Sequence, residues 1–190
     1  MNNFVFGYDQ EAALRAGQAG VQTGAQAFTI ESGEYRNHNG YESLNLTVVT
    51  DSGAKTFVDL TYKDGNGKAW TGNVNHINAI IGLLGLQGIS SVQQGDKWVT
   101  PELPGKRIGL VLQKRLFTKG DGSDGNSMNL SMSYDANSGQ TLKEKVEGSQ
   151  AVAVGKILET LEDKDDRKKG MAQNQSGMGQ QMTGNANYSM

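Results

Sequence analysis

The sequence predicts a mainly β domain whose elements run three strands, one helix, two strands, followed by an amphipathic helix. Three observations predict it. Apolar and polar residues alternate with a period of two through residues 25–62 and again through 107–134, the pattern of strands with one buried face. The chain has 26 glycines and only 2 prolines, so it is rich in tight turns and poor in rigid linkers. Two longer segments, 71–88 and 149–169, instead place apolar residues at helical spacing. A length of 190 residues suits one core with some chain left over.

Residues 1–24 are Gly/Gln/Ala-rich, with an apolar patch of Phe4, Val5, Phe6 and Tyr8 and a short helix expected near Gln10–Ala16. They read as an N-terminal arm. In "AFTIESGEYRN", Phe28 and Ile30 face one way, Thr29 and Glu31 the other. "YESLNLTVVT" continues with Leu44, Leu46 and Val48 inward, and "KTFVDLTYK" with Val58, Leu60 and Tyr62. Gly40 and Asp51-Ser52-Gly53 separate these runs as turns, so a three-stranded meander is expected.

In "TGNVNHINAIIGLLGLQG", Val74, Ile77, Ile81 and Leu84 recur at helical intervals. Thr71 or Asn73 can cap the start, and the later glycines can end the helix, although Gly82 and Gly85 weaken it by about 1 kcal/mol each relative to alanine. A loop with Trp98, Pro101 and Pro104 leads to "KRIGLVLQKRLFT". There Ile108, Leu110, Leu112 and Leu116 point into the core, and Arg115, Phe117 and Lys119 point outward. Lys114 breaks the inward set, so a bulge or the end of burial is expected near it. After "KGDGSDGNS", the strand "MNLSMSYDA" places Met128, Leu130, Met132 and Tyr134 on one face. Val154, Ile157, Leu158 and Leu161 predict the terminal amphipathic helix within 149–169, and "MAQNQSGMGQQMTGNANYSM" predicts a disordered tail. The organisation expected is an arm (1–24), a domain (25–169) and a tail (170–190).

This order is that of an OB-like Greek-key barrel with its helix between strands 3 and 4, a fold that binds oligonucleotides on strands 2 and 3 and the flanking loops. The first loop, "EYRNHNGY", offers Tyr35, Arg36, His38 and Tyr41; the glycine-rich second one lies beside the basic strand. Charge agrees locally. The net charge is −2, yet residues 97–119 carry Lys97, Lys106, Arg107, Lys114, Arg115 and Lys119 against Glu102, a window of +5 in a chain that is otherwise −7. Cations that track phosphates and aromatic rings that stack on bases make a single-strand site. The candidates are Tyr35, Arg36, Tyr41, Phe57, Lys63, Lys68, Trp70, Lys106, Arg107, Lys114, Arg115, Phe117 and Lys119. Three rings have an alternative role: Phe117 as a cover for the barrel end, Phe57 packed under a neighbouring element, and Trp70 as a barrel-end plug.

On "AFTIESGEY", "GYESLNLTVVTDSGAKTFVDLTYKDGNGKAW", "NHINAIIGLLGL" and the basic strand, the chain resembles bacteriophage single-stranded DNA-binding proteins of the OB-fold type over residues 25–165. The resemblance implies sequence-non-specific binding of exposed single-stranded DNA in phage replication or recombination, without chemistry. It places the protein in the cytoplasm of a bacterial host. Further partners would be a second copy of the chain, as a homodimer, or phage or host replication proteins. The chain departs from the resemblance at its end. The acidic "EDKDD" is followed by Arg167, Lys168 and Lys169, and the terminus is neutral, which puts tail-mediated recruitment in doubt.

Other classes fit poorly. Without cysteine there is no thiolate zinc site, and His38 and His76 have no clustered carboxylates, so neither metal nor cofactor is expected. "DGNGKA" lacks P-loop spacing, since Ala69 stands where Ser or Thr is needed, and Lys68 intrudes on a calcium loop. Asp121 and Asp124 sit in a turn where Asp is ordinary, and Asp59 with Lys63 lacks the second acid of a nuclease. No enzyme is expected. No run approaches the roughly 18 apolar residues of a membrane span, so a soluble protein with no membrane partner is expected. The alternative function is a phage structural or assembly protein with a protein-binding β-barrel, its edge lysines serving to block strand pairing.

Overall fold

The computed structural model describes residues 20–167, and its first register is set by two of them. Asn39 and Gly40 adopt φ values of 52° and 81°. An Asn-Gly pair of this kind makes a two-residue turn whose twist matches a hairpin. Strands β1 (Gly24–His38) and β2 (Tyr41–Thr50) therefore pair right up to the turn, from His38↔Tyr41 through Arg36↔Ser43. The expectation that Tyr35, Arg36, His38 and Tyr41 lie in a loop is corrected: the first three belong to β1 and Tyr41 to β2. Strand β3 (Lys55–Lys63) completes the meander on β2.

Helix α1 (Thr71–Leu83) follows, then a short hairpin β4 (Val92–Gln94) and β5 (Lys97–Val99), then β6 (Arg107–Thr118) and β7 (Asp124–Tyr134). β6 closes on β1 from Thr29↔Arg107 to Gly24↔Leu112, and β7 meets β3 in parallel. The result is a closed, OB-like barrel of five strands, β1-β2-β3-β7-β6, with α1 between its third and fourth strands. Phe28, Ile30, Leu46, Val48, Val58, Leu110 and Leu112 fill it at 0% exposure. Each such side chain contributes about 1.5–3 kcal/mol by leaving water.

α1 packs Ile80 and Leu83 on that core. Neither proposed cap is used. Trp70 occupies the N-cap position without a side-chain bond, and Asn73 instead donates from Nδ2 to the Thr61 carbonyl at 2.7 Å. The glycines have separate causes. A Cβ on Gly82 would meet Leu142 at 2.7 Å, while Gly85, at φ 66°, ends the helix as its amide bonds the Gly82 carbonyl and that of Leu86 bonds Ile81.

Two features of the strands differ from the sequence expectation. Residues 92–99 form a hairpin that pairs with β1 through Tyr35↔Trp98 and Glu34↔Val99, where a loop was expected. In β7, Val111 opposes Met132 while Leu112 opposes Leu130, so Ser131 is the extra residue of a bulge. The bulge moves Met132 and Tyr134 to the face opposite Met128 and Leu130. The Tyr134 ring then covers Gly109, where a Cβ would meet it at 2.2 Å. At Lys114, where the end of burial was expected, the chain is half-exposed, just past the last β1 partner of β6, Leu112.

The terminal helix is also shorter than its spacing suggests. α2 (Leu142–Glu147) has a Thr141/Glu144 capping box and ends at Gly148, whose φ is 65°. α3 (Ala153–Leu158) lasts six residues, and the chain then enters β8 (Lys164–Asp166), parallel to β6. Gly155 weakens α3, and beyond it Asp166 of β8 meets Arg115 of β6. The expected tail (170–190), and the expected arm apart from residues 20–24, lie outside the described residues. Among these, no helix is long and apolar enough to cross a membrane.

Candidate nucleic-acid interface

β3 and β7 share a single bridge, Val58↔Met128. Along this thin seam lies a groove of about 700 Å³, lined by Phe57, Asp59 and Thr61 of β3, Trp70 and Asn73 at the start of α1, Arg115 of β6 and residues 126–130 of β7. Its volume falls in the range of about 300–1,000 Å³ usual for ligand sites. Strand parity turns Phe57 outward beside buried Val58, leaving it 58% exposed. Trp70 is 46% exposed, yet its backbone is fixed: its amide donates to the Tyr62 carbonyl at 2.9 Å, and its carbonyl accepts from Val74 at 3.0 Å. Two rings thus stand on a rigid frame beside one groove.

The polar lining is organised around Asp59. Its Oδ1 accepts from Ser43 Oγ at 2.9 Å and Asn45 Nδ2 at 3.3 Å, and its Oδ2 from Thr61 Oγ1 at 3.2 Å. Ser127 and Asn129 contribute a hydroxyl and an amide from β7, with 3.5 Å between Ser127 Oγ and Asn129 Oδ1.

Of the residues singled out from the sequence, Phe57, Trp70 and Arg115 come together at this groove. Arg115 lies with its guanidinium carbon 6.0 Å from the centroid of the Phe117 ring. That ring is half-buried and packs across Gly125. Tyr35 faces the core, edge-on to Tyr62 at 6.5 Å between ring centroids, and burial raises its hydroxyl pKa. Tyr41 stays 47% exposed at the first turn, against Gly65.

The cations divide into two groups. Arg36 pairs with Glu34, Lys63 with Glu42, and Arg107 forms two 2.7 Å bonds to Asp51. Lys68, Lys106 and Lys119 are exposed, and Lys114 is half-exposed with its amide donating to Thr23 Oγ1 at 2.8 Å. Arg115 donates from Nε to Asp166 at 2.7 Å and thereby holds that carboxyl below the usual carboxylate range. Arg167 reaches Asp165 at 2.6 Å and Asp124 at 3.2 Å, fastening β8 to the β6–β7 hairpin.

Sequence reasoning missed Asp166 as the partner of Arg115, the lining asparagines, and the exposed ring of Trp98 opposite Tyr35. Of these, Asn129 becomes readable by strand parity, with its neighbour Ser127, whereas Asn126 opposes Leu116 of the inward set and does not. Asn129 opposes Gln113 and Ser127 opposes Arg115, so strand parity puts both on the outward face once the register is known. Asp166 had none, because the pairing of β8 with β6 is non-local. Among the described residues no group of three or more His, Cys, Asp or Glu side chains could hold a metal ion. Compared with protein-family models and with the curated proteins, the chain matches none of them.

Proposed function

We propose that this chain is a sequence-non-specific single-stranded DNA-binding protein of phage replication or recombination that protects or organises exposed strands in the host cytoplasm and performs no chemistry. One observation carries the reading: an OB-like barrel presents two exposed rings, Phe57 and Trp70, and the guanidinium of Arg115 around one open, polar groove. Rings on a rigid frame stack on bases of any identity, each worth about 1–3 kcal/mol, and a stacked duplex offers them no free base faces. Lys68, in the loop before Trp70, and Lys119, at the β6–β7 turn, supply phosphate partners. The test is fluorescence anisotropy with labelled oligo-dT and a matched duplex. Tight binding of the single strand and weak binding of the duplex is the expected result.

A protein-binding barrel is the second reading. The observation in its favour is that Arg107 and Arg115 are engaged by Asp51 and Asp166, which lowers the positive potential of the strand. A protein that ignores oligonucleotides at low salt would overturn the first reading and leave this one.

A further inference from the structure

Asp59 is the one groove residue that single-strand binding does not explain. A carboxylate lines a groove assigned to a polyanion, and the only cation in the same lining among the described residues, Arg115, is already bonded to Asp166. Phosphates are repelled from that position. The part of a strand that can enter is therefore the uncharged part, the base, with the sugar-phosphate chain left toward the exposed lysines.

The chemistry of the lining then discriminates among bases. An ionised carboxylate only accepts hydrogen bonds, at about four lone-pair positions. Three of those at Asp59 are used, two on Oδ1 and one on Oδ2, so Oδ2 keeps acceptor capacity. Cytosine, adenine and guanine carry an exocyclic amino group that can donate to it, and a carboxylate accepting from the cytosine amino group is a known pairing in base recognition. Thymine has no such group. Its one ring N–H is flanked by two carbonyl oxygens, which a carboxylate repels. Asn126 and Asn129, bearing both donors and acceptors, complement the remaining edge of an amino-bearing base.

Building on the single-strand reading, we infer that the β3–β7 groove is a base-reading subsite in which Asp59 selects bases with an exocyclic amino group over thymine. The protein reads no sequence but has a composition bias. Phe57 and Trp70 hold a base by its faces, and Asp59 with the asparagines tests its edge.

The experiment measures the affinity of the full chain for equal-length oligo-dC, oligo-dA and oligo-dT by anisotropy, for the unaltered protein and for Asp59→Asn. Oligo-dC and oligo-dA should bind about tenfold or more tightly than oligo-dT, the size expected of one added hydrogen bond to a charged acceptor. Asp59→Asn replaces an acceptor with an amide and removes the charge, so the preference should vanish or reverse while binding to oligo-dT is kept or strengthened. Thermal melting checks that the Ser43–Asn45–Thr61 network survives the change. Asn129→Ala, outside that network, is the second variant and should weaken oligo-dC more than oligo-dT. Equal affinities in the unaltered protein, or a preference unchanged by Asp59→Asn, overturn the inference while leaving single-strand binding in place. Failure to bind any of the three oligonucleotides overturns both.

Discussion

The phenyl ring of Phe117 lies across Gly125, its register partner on the neighbouring strand, so closely that a Cβ at Gly125 would meet Cε2 of the ring at 2.9 Å. The stem of Lys119 occupies the same space, at 3.0 Å. Gly125 thus lets the ring lie flat on the hairpin, beside Arg115. Phe117→Ala should lower stability by about 1 kcal/mol, roughly half the value for a fully buried ring. Gly125→Ala should destabilise the protein with Phe117 present and be nearly neutral in the Phe117→Ala background. A double-mutant cycle by chemical denaturation measures this coupling. Additive effects would show that ring and glycine do not interact.

Glu144 joins the two terminal helices and gives the fold an acid-sensitive point. Its carboxylate accepts from the amides of Thr141, Val152 and Ala153, each at 2.8 Å, and these bonds lower its pKa from 4.5 to about 2. A carboxylate depressed in this way adds stability that is fully present above its unfolded value and is lost as pH falls toward its folded one. Glu144→Gln should therefore melt several degrees lower than the unaltered protein near neutral pH. That gap should narrow as pH drops from about 4.5 to about 2. A gap independent of pH would remove the carboxylate's charge from the explanation.

Ion pairing within the domain limits how many cations can meet phosphates. Arg107 and Arg115 are bonded to Asp51 and Asp166, whereas Lys68 and Lys119 are exposed and Lys114 is half-exposed, and on the single-strand proposal these three meet its phosphates. Three contacts give a slope of about −2 in log affinity against log salt for a single strand. Asp166→Asn frees Arg115 and should steepen the slope by about 0.7 while raising affinity at low salt. An unchanged slope would mean that Arg115 makes no phosphate contact.

Local rules made the barrel legible in the sequence. The alternation of Phe28 and Ile30, of Leu44, Leu46 and Val48, and of Ile108, Leu110 and Leu112 depends only on chain neighbours, and each set is buried as its parity requires. The bulge at Ser131 was not legible, because nothing in "MNLSMSYDA" marks the position where one strand carries an extra residue against its partner. For the same reason the groove was legible only in part: strand parity turns Phe57 outward, with packing under a neighbour as its alternative, and Trp70 was a candidate with a barrel-end plug as its alternative. Asp59, Asn126 and Asn129 become its lining only through the thin β3–β7 seam, a contact 70 residues apart in the chain. Charge misled in one respect. A window of +5 between residues 97 and 119 looked open to solvent, but Asp51 and Asp166 reach it from distant segments.

Trp70 offers the most direct test, because Trp98 is the only other tryptophan in the chain. In a Trp98→Phe variant, emission reports on the groove ring alone. Titration with oligo-dT should quench that emission in step with the rise in anisotropy of the labelled strand, and Phe57→Ala should weaken both signals by about 1–3 kcal/mol in affinity. Binding seen by anisotropy with no change in the emission of Trp70 would contradict the account, because the strand would then lie on a surface other than the groove between β3 and β7.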